Sequence, residues 1–411
     1  MNKTGTVQPA AATERDLDRE WTAVAACAAG LSLSVATLGL YSFGIFVRPL
    51  AAEFGWSRTQ LSGAISISIY GLAVTSPFWG LLLDRFGPRR IMLPSAVMLS
   101  VLVASLSLLT PNLWHLYAVF AAMQIFAGGA SPLGYSAVLT RRFNRRLGLA
   151  LGLGLMGVGL GATILPPLCQ ALLGEFGWRN AYVILGLITL VVTMPAMLVA
   201  TRNVRGPASA QRGALVRFVL TLARTRPFVL MSLAFFLMGL VTVGTITQLV
   251  PMMIDCGADP AAAARVAALA GLAALAGRGG IGWVLDRVHA PYVFVGVALL
   301  GVLAFLLLSY GQNSATAYAA AFLLGAVIGM EVDFISFMVR RYFDPAVFGS
   351  LYGIAFGVFN LGAGTGPVVL GSSFDRFGSY SPGLMLFSVI GMVAAFLMLA
   401  MPRYDSLQLA D

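Results

Sequence analysis

The chain has 411 residues, of which 59% are hydrophobic and only 10% charged, and its formal net charge is +10. A water-soluble domain carries about a quarter charged residues, so this composition excludes a soluble globular protein and requires an apolar solvent over most of the surface. The basic excess raises nucleic acid as a partner, a reading that the placement of the charges removes.

The first twenty residues hold Glu14, Arg15, Asp16, Asp18, Arg19 and Glu20. This acid-rich start lacks the basic lead and short apolar centre of a secretory signal, and it reads as a cytoplasmic tail, 1–20. Twelve apolar runs follow, near 21–47, 61–83, 91–109, 113–139, 147–172, 180–200, 228–253, 261–285, 291–310, 315–339, 346–371 and 382–402. About 20 apolar residues cross a bilayer core, so these runs, spans 1 to 12, predict an all-α integral membrane protein. The predicted domains are an N-terminal six-helix bundle at 21–200, an Arg-rich cytoplasmic linker at 201–227, a C-terminal six-helix bundle at 228–402 and a cytoplasmic tail at 403–411. Cys27, Cys169 and Cys256 stand singly, so neither a metal site nor a disulfide framework is expected. No His/Cys ligand cluster or nucleophile–base set falls in the spans, so the expectation is no enzyme and no cofactor.

With the amino terminus inside, 20 Lys and Arg residues fall in the tails and inner loops, against 5 outside: Arg48, Arg58, Arg179, Arg265 and Arg376. That asymmetry orients inner-membrane proteins, here with both termini cytoplasmic, and it explains the basic charge without nucleic acid.

The chain also repeats itself. Asp84-Arg85 recurs as Asp286-Arg287, 202 residues later. Gly148, Gly152, Gly161 and Pro166 recur 201 residues on as Gly349, Gly353, Gly362 and Pro367, and Arg141-Arg142-Phe143 is answered by Arg340-Arg341-Tyr342-Phe343. A large fixed offset of this kind marks a duplicated six-helix unit, an architecture in which two bundles rock about a midplane site. The run "GLGLMG" at 152–157 fits a dinucleotide fingerprint, but no strand precedes it; its small residues serve close helix approach instead.

These residues carry a family resemblance. The pattern Gly80-x-x-x-Asp84-Arg85-x-Gly87, with a partial second copy at Gly282 to Arg287, resembles the loop signature of the major facilitator superfamily. More narrowly, "FVRPLAAEFGWSRTQLS" at 46–62, "RRFNRRLGLALG" at 141–152 and "GMEVDFISFMVRRYF" at 329–343 resemble the bacterial monocarboxylate porter and oxalate–formate antiporter group. The resemblance implies two pseudo-symmetric six-helix bundles, with Asp84, Arg85, Arg142, Asp286, Arg287 and Arg341 as gate residues that lock the inner ends of the bundles together. It also implies a substrate carboxylate held by an arginine on span 8, which Arg278 matches.

Arg278 on span 8 and Glu331 and Asp333 on span 10 are the ionisable residues well inside the spans. Each costs about 2.5–3.5 kcal/mol at a helix centre on insertion scales, so a functional role is the default expectation. A guanidinium stays protonated and grips a carboxylate through two parallel hydrogen bonds, whereas the bland alternative is a permanent ion pair with Glu331 or Asp333 that braces the bundle. Positions 331 and 333 point about 200° apart on a helix. Asp333 is favoured for the cavity and for proton coupling, and Glu331 is read either as its partner in that role or as a hydrogen bond between helices. Tyr41, Tyr70, Gln124, Tyr135, Gln248, Phe337, Phe359 and Asn360 complete the substrate-facing candidates, with ordinary helix packing as the competing explanation for each. His115 and His289 are candidate proton relays near helix ends. Span 11 lacks the second cation of the oxalate-type members, so a dicarboxylate is poorly matched, and span 1 lacks the lysine of some monocarboxylate members.

The reading is a secondary active transporter that moves a small organic monocarboxylate, together with a proton, by rocker-switch alternating access. It is expected to be a monomer in the inner membrane. Alternatives are an anion exchanger, a carrier of a larger or neutral solute in which Arg278 is structural, and a non-transporting membrane sensor.

Overall fold

Nothing in a bilayer core can bond a bare peptide group, so an apolar run must satisfy its N–H and C=O groups along its own length. A computed structural model describes residues 14–144, 146–202, 204, 212–255, 257–310 and 314–403, and these are helical with no strand among them. Ten of the described helices are long and apolar enough to cross a membrane. One of these runs, Leu147–Ala200, is two passes, spans 5 and 6, because Gly177 leaves helical geometry at φ 71° and ψ 166°. A side chain at that positive φ would be strained.

Span 1 completes the twelve and is divided. Glu14–Leu31 stops, the short turns Val35–Thr37 and Leu38–Ser42 follow, and Phe43–Phe54 finishes the pass. The Thr37 hydroxyl donates to the Leu31 carbonyl at 2.9 Å, and the Thr37 N–H donates to the Ser34 hydroxyl at 3.3 Å. Hydroxyls that satisfy the backbone locally are what allow a helix to break here. Span 4 is divided too, into Leu113–Ala127 and Pro132–Arg142 around the tight turn Gly128–Ala130. Span 5 has a local irregularity at Met156, between Leu147–Leu155 and the helix that begins at Gly157, but its backbone stays helical there, at φ −55° and ψ −21°.

The remaining passes are Arg58–Phe86 (span 2), Pro88–Ser105 (3), Arg226–Asp255 (7), Pro260–Leu285 (8), Ala290–Tyr310 (9), Ser314–Tyr342 (10), Phe348–Phe377 (11) and Ser381–Leu399 (12). The linker holds a helix of its own, Arg212–Ala223, which leans on spans 7 and 11. The tilted rings of Trp21 and Phe143 lie 5.5 Å apart, and the Tyr342 hydroxyl donates to the Pro402 carbonyl at 2.6 Å, so both described ends of the chain lie at one end of the bundle.

Three seams join the first six spans to the last six near that end. In the seam of spans 2 and 11, a Cβ on Gly349 would lie 2.7 Å from the Gly80 carbonyl oxygen, and one on Gly353 would lie 3.1 Å from Cα of Pro77. In the seam of spans 5 and 8, a Cβ on Gly152 would lie 2.5 Å from the Arg278 carbonyl oxygen. In the third, the Ser336 hydroxyl donates to that of Ser136 at 2.9 Å and Arg340 Nε donates to the Thr140 carbonyl at 3.2 Å, so residues 200 positions apart meet. Backbone-to-backbone approach of this kind replaces side-chain interlocking with smooth surfaces.

At the opposite end, Glu53 fastens the first half to itself. Its carboxylate accepts from Trp178 Nε1 at 2.5 Å and Arg179 Nη2 at 2.8 Å, while Arg179 also donates to the Ser107 carbonyl at 2.8 Å. The Trp178 N–H, and then Arg179, hold the Glu53 carboxyl below its ordinary value of 4.5.

Two outcomes follow from these packings. Gly353→Leu overfills the seam of spans 2 and 11, a change that typically costs about 1–3 kcal/mol, and it should lower the thermal midpoint of the detergent-solubilised protein. An unchanged midpoint would show that the seam tolerates a side chain. For Glu53, a depressed carboxylate stabilises above its unfolded pKa and loses that contribution as pH falls through the folded one. The midpoint difference between wild type and Glu53→Gln should therefore be present at neutral pH and shrink only below the ordinary carboxylate range; a difference that peaks in acid would refute the clasp.

Candidate functional site

Arg278 has 7% of its surface exposed, held in place because Gly152 lets spans 5 and 8 touch at its own backbone. Its Nη1 donates to the Leu155 carbonyl at 3.0 Å, at the last residue of the helix Leu147–Leu155. A guanidinium carries five N–H donors, and the described residues take one of Arg278's.

Two acids feel that charge. The Arg278 guanidinium acts on both Glu331 and Asp333, yet the ion pairs closer than 4 Å among the described residues are elsewhere, at Arg141–Asp84 and Arg179–Glu53. The bracing ion pair considered from the sequence is therefore not formed. The two acids differ. Glu331 accepts a hydrogen bond from the Thr242 hydroxyl of span 7 at 2.6 Å, whereas Asp333 is fully buried and neither of its oxygens has a hydrogen-bond partner among the described residues. A carboxylate stripped of water and donors is a costly place for a lasting negative charge.

Residues absent from the sequence reading gather at this level. The Tyr352 hydroxyl of span 11 sits beside the Ser136–Ser336 pair, within reach of the Arg278 and Asp333 charges, without meeting hydrogen-bond geometry. Tyr352 belongs to a ladder of stacked rings along span 11, with Phe348–Tyr352 and Tyr352–Phe356 both at 5.5 Å and Phe356–Phe359 at 6.2 Å. Their signals in the sequence were the four-residue spacing of Phe348, Tyr352 and Phe356 and the 200-residue offset of Ser136 and Ser336.

The other candidates are dispersed. The side chain of Tyr41 lies outside the described residues. Tyr135 is fully buried against Gly30 of span 1, inside the first half, while its neighbour Ser136 takes the face towards span 10. Tyr70, 38% exposed, lies against Gly364 of span 11. Gln248 donates to the Pro367 carbonyl at 3.3 Å, and Asn360 donates to the Phe356 carbonyl of its own helix at 2.7 Å. Phe359 packs on Gly239 of span 7, Gln124 on Gly71, and Phe337 lies 5.1 Å beneath the Arg341 guanidinium. His115 Nδ1 is 3.5 Å from the Thr110 hydroxyl and His289 packs on Tyr292, both away from the central acids.

At the terminus-bearing end, two aspartates cap helices of the opposite half. The buried Asp84 carboxylate accepts from the N–H groups of Gly349 and Ser350 at 2.8 and 2.6 Å and from the Ser350 hydroxyl at 2.8 Å. Asp286 accepts from the N–H groups of Gly148 and Leu149 at 2.8 and 3.0 Å. Each acid therefore meets the positive end of a helix dipole across a seam. The arginine beside Asp84 is Arg141, at 3.5 Å, and not Arg142. Arg142 instead donates to the carbonyls of Ala200 and Arg202, tying span 4 to the end of span 6, because consecutive helical residues point about 100° apart. Arg85 lies over Phe86 and Arg287 over Trp283, at 4.6 and 3.9 Å from the ring centres.

Known proteins resemble this chain in sequence or in fold. The mouse protein "Monocarboxylate transporter 11" is 28% identical over 403 residues, spanning 94% of this chain and 88% of its own. "Multidrug resistance protein MdtG" of Dickeya zeae is 24% identical over 406 residues, 97% of either chain. The solved E. coli fucose:proton symporter superposes with a TM-score of 0.74 at 14% identity, over 92% of this chain and 98% of that one, a likeness of fold alone. The family profile of the Major Facilitator Superfamily matches residues 29–367. A multi-pass, all-helical chain with this match is a membrane transporter, and it belongs to the Major Facilitator Superfamily.

Proposed function

We propose that the protein carries a small organic monocarboxylate, together with a proton, across the cytoplasmic membrane. The observation that carries this reading is the state of Arg278, a buried guanidinium near two carboxyls that forms an ion pair with neither. Its remaining N–H donors suit a substrate carboxylate, which accepts two parallel hydrogen bonds from one guanidinium. The name of the mouse relative, a monocarboxylate transporter, points the same way.

Asp333 supplies the coupling. Before substrate arrives, the Arg278 charge compensates the buried carboxylate. Once a substrate carboxylate takes that charge, Asp333 is left without a donor, and a proton removes the uncompensated charge. Anion and proton then cross as a neutral load, spared the roughly 2.3 kcal/mol per charge that 100 mV imposes. Glu331, held by Thr242, braces spans 7 and 10.

The terminus-bearing end is the cytoplasmic one, as the distribution of basic residues implies. Asp84 and Asp286 act there as gates: their capping bonds hold that end shut in this conformation and must be exchanged for water when it opens. Single surface contacts contribute little, but symmetric pairs can bias two states of nearly equal energy.

Thermal shift with a panel of monocarboxylates, dicarboxylates and sugars tests the recognition. Arg278→Ala should lose about a hundredfold or more in apparent affinity for the stabilising acid, since hydrogen bonds to charged groups are worth about 1.5–3 kcal/mol each, and Arg278→Lys should recover part of it. Stabilisation by sugars alone, or by acids equally in wild type and Arg278→Ala, would overturn the assignment. In proteoliposomes, Asp333→Asn should keep counterflow yet lose accumulation driven by a pH gradient, with Glu331→Gln much less affected. Gradient-driven accumulation that survives Asp333→Asn would remove Asp333 from the coupling.

A further inference from the structure

The two aspartate seams are sequence repeats of one another, yet they are not finished alike. At the seam of spans 2 and 11, Asp84 is buried, saturated by Gly349 and Ser350, and has Arg141 at 3.5 Å. At the seam of spans 5 and 8, a cavity of about 610 Å³ opens beside Asp286, lined by Asn144, Arg146, Leu149, Trp283, Arg287 and Arg341. Three guanidiniums face one carboxylate, and both oxygens of that carboxylate already accept backbone N–H groups. None of the three arginines has an ion-pair partner within 4 Å among the described residues. Arg341 Nε is buried there without a hydrogen-bond partner among them, although its guanidinium is steadied by the Phe337 ring at 5.1 Å. Arg287 is likewise steadied, by the Trp283 ring at 3.9 Å and the Trp283 carbonyl at 2.9 Å. Like charges gathered around a cavity repel unless an anion joins them, and ring stacking fixes two of the three forks in place for one.

We propose that this cavity binds a phosphate group, which bridges Arg146 of the first half to Arg287 and Arg341 of the second and so holds the terminus-bearing end shut. A tetrahedral anion fits better than a carboxylate, because three guanidinium forks need more acceptor oxygens than the two that one carboxylate offers. The site lies apart from Arg278, and it stands whether or not the transported solute is a carboxylate. Its ligand is either an anionic lipid headgroup or free phosphate, which share that chemistry.

Thermal unfolding of the full-length protein in uncharged detergent tests this, with three titrants: sodium phosphate, short-chain phosphatidylglycerol, and sodium chloride at matched ionic strength. A saturable rise in midpoint is expected with phosphate, phosphatidylglycerol or both, weakened about tenfold or more in Arg146→Gln/Arg287→Gln and retained in Arg89→Gln, a charge on the same face but outside the cavity. A response to phosphatidylglycerol alone identifies a lipid, and a response to phosphate alone a soluble anion. Arg146→Gln by itself, on an exposed side chain, carries the same expectation should the double variant not fold. No saturable response, a response that chloride reproduces, or one that the arginine variants retain in full would each overturn the proposal.

Discussion

A cation enclosed by apolar helices must be answered by charge or dipoles close by, and the centre of this protein is arranged around one such cation. Arg278 donates to a backbone carbonyl of span 5 and lies near two buried acids, but locks onto neither. That incomplete compensation has consequences in both directions. It leaves donors available to a negatively charged guest, and it leaves Asp333 dependent on a charge that the guest would take. In the proposed function, binding and proton uptake are then one electrostatic exchange, which is how a single site can couple two species.

Such an exchange transports nothing unless the site faces one side of the membrane at a time. The glycine contacts of spans 2 with 11 and 5 with 8 permit this, since surfaces without side chains separate and rejoin with little repacking. Glycine alone would not decide which end is closed. Under the proposed function, directionality resides in the polar bonds laid over those contacts, the Asp84 and Asp286 caps and the Ser136–Ser336 pair, all of which cross between halves. The Glu53 clasp at the other end stays within the first half and so does not hinder separation there.

Much of the fold was legible because apolar runs of membrane length can be little other than helices, and a 201-residue repeat of Gly and Pro exposed the duplication. The breaks were not legible. Thr37 and the turn Gly128–Ala130 lie inside apolar runs, where hydropathy is blind to which backbone groups are bonded locally. Arg278, Glu331 and Asp333 stood out because ionisable groups in oil are rare, whereas Tyr352 and the two serines are ordinary in helices and became visible only once three spans converged. Facing directions were the weakest inference. Ser136, next to Tyr135, is the residue that bonds across to span 10, and Arg141, next to Arg142, is the one beside Asp84, because consecutive helical residues point about 100° apart.

The central claim is that the negative charge of the solute, met by Arg278, is what the site recognises. Counterflow in proteoliposomes with carboxylic acids and their isosteric amides, matched in size and shape, asks this most directly. The acids should exchange and the amides should not; equal exchange of both would mean that the buried guanidinium has some other purpose.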